Sequence, residues 1–78
     1  MDAETIQKLI ETGLPGAHAE VQGDDGVHFE ATVIYEGFAG KNSVQRHRMV
    51  NATLGALVGR EIHALSLPKT LTPDEAGR

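Results

Sequence analysis

From Ala17 to Tyr35 the chain alternates apolar and polar residues almost without a break, on both sides of a Gly23-Asp24-Asp25-Gly26 turn. Ala17, Ala19 and Val21 take one face, and His18, Glu20 and Gln22 the other. Beyond the turn Val27, Phe29, Ala31, Val33 and Tyr35 alternate with His28, Glu30, Thr32 and Ile34. Side chains along a strand point to opposite faces with a period of two. The pattern therefore predicts a hairpin with one buried face, and a slip of one residue would turn its whole apolar set to water. In this register Val27 and Phe29 point to the core and His28 faces out.

The flanking segments constrain what covers that face. Asp2 to about Gly13 predicts a helix. Ile6, Leu9, Ile10 and Gly13 share a helical spacing, Asp2 stands at the cap position, and Gly13 and Pro15 supply the stop. Gly37-Phe38-Ala39-Gly40 ends the second strand, and Asn42 with Gln45 is placed to cap a second helix. Val50, Leu54, Leu57 and Val58 form one apolar stripe along it, which Gly55 can divide in two and Gly59 closes. A last strand is expected from Glu61 to Leu67, ended by Pro68. Thr72-Pro73-Asp74-Glu75 has the form of a capping box with proline at the first helical position. The second and third strands are joined through helix, so as neighbours they run parallel with a right-handed crossover. The expected fold is α+β, in the order helix-strand-strand-helix(-helix)-strand. Its three-stranded mixed sheet has helices on one face and the other face partly open to solvent. Residues 1–78 read as a single domain.

Composition removes whole classes of function. A chain of 78 residues hides only about 60% of its unfolded surface, so its stability is modest. It contains no cysteine, which excludes a disulfide-stapled scaffold, a cysteine zinc finger and a cysteine nucleophile. No apolar run approaches the ~20 residues that span a bilayer, and the first ten residues lack the pattern of a secretory leader. A cytoplasmic setting without membrane attachment is expected. Ser43 and Ser66 have no assigned base and orienting acid, and there is no phosphate loop or pair of carboxylates in a cleft. The chain reads as a non-enzyme. Histidine is then its strongest soft-metal ligand, and iron–sulfur or zinc chemistry must borrow thiolates from another molecule.

The segments Phe38-Ala39-Gly40-Lys41, Val44-Gln45-Arg46-His47-Arg48-Met49-Val50-Asn51, Ile62-His63-Ala64-Leu65 and Lys69-Thr70-Leu71-Thr72-Pro73 occur in an order that resembles the BolA family. The short Gly23 to Gly26 loop before His28-Phe29 is similar to the family's short-loop branch. The resemblance implies a helix–strand–strand–helix–helix–strand fold related to the K-homology fold. It implies pairing with a monothiol glutaredoxin and a shared [2Fe-2S] cluster, with thiolates from the glutaredoxin cysteine and glutathione. It further implies a role in iron–sulfur cluster trafficking or iron regulation, and some members are described as DNA-binding regulators. His63 matches the family's last-strand histidine ligand, and His28 is the nearby histidine that corresponds to its second ligand.

The residues alone bear on that implication. If the second and third strands are parallel neighbours about 4.8 Å apart, His28 and His63 lie near the same edge of the sheet. Whether they share a face depends on the last strand. With Ile62 and Ala64 inward, His63 faces out beside His28; with Leu65 and Leu67 inward, the pair is split. Two imidazoles on one iron resemble Rieske-type ligation, and they bind only when neutral, so binding should fail as pH falls through the ordinary histidine range near ~6.5. The alternative function is a nucleic-acid-binding transcriptional regulator. It would use Lys41, Arg46 and Arg48 with Gly37-x-x-Gly40, which has the form of the K-homology glycine clamp and also of a simple turn. A net charge of −4 weighs against it, and three phosphate contacts would bind weakly and salt-sensitively.

Overall fold

The computed structural model describes residues 1–77. Helix α1 spans Ala3–Gly13, strands β1 and β2 span His18–Gln22 and His28–Ile34, and helix α2 spans Ser43–Leu54. Strand β3 spans Ala64–Leu71 and a short helix, α3, spans Pro73–Ala76. The caps fall where side-chain chemistry places them. Asp2 accepts the Thr5 N–H at 2.8 Å, and Asn42–Gln45 and Thr72–Glu75 close reciprocal capping boxes.

The sheet order is β1-β2-β3, with β1 antiparallel and β3 parallel to the central strand. Ala19, Phe29, Ala31 and Val33 face the helices and meet Ile6, Ile10, Leu14, Val50 and Leu54 in the core, which Phe38 and Ile62 complete. The opposite face carries His18, Glu20, Gln22, His28, Glu30, Ala64, Ser66 and Lys69, all exposed. The alternation of the hairpin is thus realised as a helix-covered face and a solvated one.

Four expectations shift. Val27 is 41% exposed, because it belongs to the turn: its N–H is held by the Asp25 carboxylate, and strand alternation begins at His28. The expected second half of the long helix is a single 3-10 turn, Gly55–Leu57. Gly55 has φ +55 and ψ −131, which breaks the helical phase, so Val58 leaves the stripe and is 37% exposed. The last strand starts later than expected, at Ala64, and runs through Pro68 to Leu71. Proline is tolerated because β3 is an edge strand and Pro68 falls at a register shift. Ser66 opposes Glu30 and Lys69 opposes Thr32, so two β3 residues stand against Ala31. Finally, the alternatives for the face of His63 both hold in part. Ile62 is fully buried and Leu65 and Leu67 also turn inward, with His63 and Ala64 both exposed between them. The N–H groups of His63 and Ala64 both donate to the Val27 carbonyl, at 3.0 and 3.1 Å, which absorbs the extra residue.

Candidate functional site

That irregularity decides what the edge presents. His28 opens β2 and pairs in register with Ala64, the first residue of β3. His63 sits one residue earlier, just outside the strand. Its ring packs edge-on against the ring of His28, with centroids 5.6 Å apart and planes at 83°. Both residues are exposed, and the structure brings them together on the solvated side at one end of the sheet, where β2 and β3 begin.

The hairpin turn supports the first of these rings. Asp25 Oδ1 accepts the N–H groups of Val27 and His28 at 3.0 and 2.8 Å, and Oδ2 lies 2.6 Å from His28 Nδ1. The His28 N–H, then that of Val27, then the His28 ring hold the Asp25 carboxyl below the usual carboxylate range. Sequence reading missed Asp25. Its signal was an aspartate three residues before a histidine inside a Gly-Asp-Asp-Gly turn, a position from which it can bond the backbone that follows. The surroundings are partly apolar. Val27 supplies the carbonyl that anchors His63, Val58 bridges to Ile62, and both valines are exposed. An open hollow of about 490 Å³ flanks His28 on the outer face, walled by Gln22, Gly23, Asp24, Glu30 and Ser66.

Chemically, the edge offers two imidazoles and no third ligand. Among the described residues no group of three or more histidine, cysteine or carboxylate side chains is placed to hold a metal ion. Two imidazoles alone leave a metal's coordination shell incomplete, so an ion or cluster held here would need further donors from a second molecule.

The three cations are not brought together as one surface. Arg46 turns inward, with only 12% of its side chain exposed. Its Nε donates to the Lys41 carbonyl at 2.9 Å and its Nη1 to the Thr70 carbonyl at 2.7 Å. A two-pronged pair with Glu75 spans 2.7 and 3.3 Å. The guanidinium lies 5.6 Å from the centroid of the Phe38 ring. Its hydrogen bond to Glu75, followed by the Thr72 N–H, lowers the Glu75 carboxyl to about 2. Arg46 is therefore a structural tie that joins α2, β3 and α3. Lys41 and Arg48 remain exposed. A 3-10 turn at Glu36–Phe38 is followed by a reversal with Gly40 at φ +77, consistent with the plain turn.

Comparison with known proteins adds context to this geometry. The family model described as BolA-like protein matches residues 9–75. A protein called BOLA2 from Arabidopsis thaliana is 41% identical over 75 residues, covering 92% of this chain and 80% of the relative. The DNA-binding transcriptional regulator BolA of Vibrio cholerae is 50% identical over 40 residues, covering 51% of this chain and 38% of that protein. A solved structure of a bolA protein homologue from Coxiella burnetii superposes with a TM-score of 0.90 at 44% identity, covering 100% of this chain and 99% of the other.

Proposed function

The chain belongs to the BolA-like family, and on that premise we propose that it is an adaptor. It pairs with a monothiol glutaredoxin in the cytoplasm and contributes His63 and His28 to a [2Fe-2S] cluster shared between the two proteins, in cluster trafficking or iron regulation. The observation that carries the reading is the His28–His63 contact, two exposed imidazoles 5.6 Å apart in a chain with no thiol of its own. A donor set of nitrogen alone and only two members holds iron poorly by itself, and holds it well when a partner brings thiolates. Glutathione and the glutaredoxin cysteine are the donors of that kind. When bound, the cluster supplies one-electron chemistry and is itself the cargo. This chain's part is to keep two neutral ring nitrogens facing the partner and to close one side of the site. No helix among the described residues is long and apolar enough to cross a membrane, and the role needs none.

The test is direct. Adding the chain to a cluster-loaded glutaredoxin with glutathione should change the visible absorption and circular dichroism. His63→Ala should abolish the change, and His28→Ala should weaken or shift it. A spectrum unaltered by mixing would end the reading.

A second reading, a nucleic-acid-binding regulator, draws its support from the name of the Vibrio cholerae relative. Of its three cations, Arg46 is committed internally, so the reading rests on Lys41 and Arg48.

A further inference from the structure

We propose that Asp25 is a positioning residue for His28. It fixes the ring in the tautomer protonated at Nδ1 and so leaves Nε2 as the nitrogen offered to metal. The metal-binding half of this inference rests on the function proposed above. The tautomer is a property of the chain alone.

The argument is one of donors and acceptors. A carboxylate only accepts, so the 2.6 Å contact between Asp25 Oδ2 and His28 Nδ1 requires the hydrogen to sit on Nδ1. A neutral imidazole carries one N–H, so the lone pair is left on Nε2. The carboxylate cannot swing away cheaply, because its other oxygen is held by the backbone N–H groups of Val27 and of His28 itself. The residue that orients the ring is thus anchored to the main chain of the residue that carries it. A histidine whose second nitrogen is bound to a carboxylate is the usual arrangement around ligating imidazoles, and loss of such a partner costs about 10–100-fold in metal affinity. His63 has no comparable support: its ring rests on that of His28 and makes no side-chain hydrogen bond among the described residues. Holding His28 therefore also fixes the surface against which His63 lies.

The simpler role for Asp25 is to close the turn and nothing more, and one substitution separates the two. In Asp25→Asn the two backbone N–H groups still require an oxygen at the Oδ1 position. The amide NH2 then replaces Oδ2 and faces Nδ1 as a donor. The turn is kept and the tautomer is inverted. Long-range 1H–15N correlation on the full 15N-labelled chain, at pH about 8.5 where free histidine is neutral, reads both tautomers. The expected result is Nδ1–H for His28 in the wild type and Nε2–H in Asp25→Asn, with amide shifts of β1 to β3 retained. A wild-type His28 protonated at Nε2 would overturn the proposal without recourse to any variant, as would an unchanged tautomer in Asp25→Asn with the turn intact. In the glutaredoxin complex, Asp25→Asn should weaken assembly about 10-fold or more and alter the His28 nitrogen couplings in pulsed paramagnetic resonance of the reduced cluster. Wild-type and Asp25→Asn complexes with the same His28 couplings and the same affinity would refute the positioning role. Absence of any nitrogen coupling in the wild type would instead sink the shared-cluster reading, and the tautomer measurement would still stand.

Discussion

Arg46 shows how far a residue's role can lie from its sequence context. Between Gln45 and His47 it reads as one charge on a solvated helix face, yet it bonds a carbonyl 24 residues away and a carboxylate 29 residues away. Arg46→Ala removes a largely buried fork and leaves the Thr70 carbonyl without its donor, so it should cost about 2 kcal/mol in urea unfolding. Arg46→Lys should recover only part of this, because an ammonium cannot reproduce the fork. Glu75 gives the matching pH dependence. Its carboxyl is lowered from 4.5 to about 2 in the folded chain, chiefly by Arg46. A depressed folded value means that the stabilisation is fully present above 4.5 and is lost as pH falls from there through about 2. Urea midpoints at pH about 5.5 and about 3 should differ by less in Glu75→Gln than in the wild type, and less again at high salt, since the pair is partly exposed. That His28 and His63 come to the same end of the sheet was legible as one of two alternatives, because strand pairing places them there. Asp25 and Arg46 were not, because their roles are set by turn closure and by long-range pairing.

Elements follow the same division. The hairpin, the first helix and the three caps were legible, since each depends on contacts within a few residues. The start of β3 was not. Whether Ile62 or Leu65 sets the phase is decided by the core on one side and by the Val27 carbonyl on the other, and the chain satisfies both by turning two residues outward. Pro68 was read as a stop because proline removes a ladder donor, which matters only where a second neighbour exists, and β3 has none on its outer side. The segment that delivers His63 to this junction turns at Gly59, whose φ is +91 and whose N–H donates to the Ile62 carbonyl at 2.8 Å. A Cβ at Gly59 would meet no atom within 4 Å, so any cost of Gly59→Ala is backbone strain alone. That cost is about 1 kcal/mol. The prediction is a lowered thermal midpoint together with shifted His63 ring resonances. An unshifted His63 ring in a destabilised variant would show that this turn does not set the site.

Over the whole molecule, charge and shape assign different surfaces to the two readings. Eleven acids against seven bases give a net −4, which weighs against general polyanion binding. The local basic spot is reduced to Lys41 and Arg48, because the third cation faces Thr70 and Glu75 rather than solvent. The histidine pair lies at the junction of β2 and β3, near the exposed Val27 and Val58. Counterion release turns this into a measurable number. Two phosphate contacts give a slope of log K against log salt near −1.8, and a fourfold rise in salt then lowers affinity only about tenfold from an already weak value. In a titration of a short duplex, Arg48→Ala should halve that slope, whereas Arg46→Lys, under conditions where it stays folded, should leave it unchanged. A slope of about −3 or steeper that falls when Arg46 is replaced would mean that this arginine leaves its internal partners to meet phosphate. The basic surface would then carry a nucleic-acid contact of its own, beside whatever the imidazole pair does.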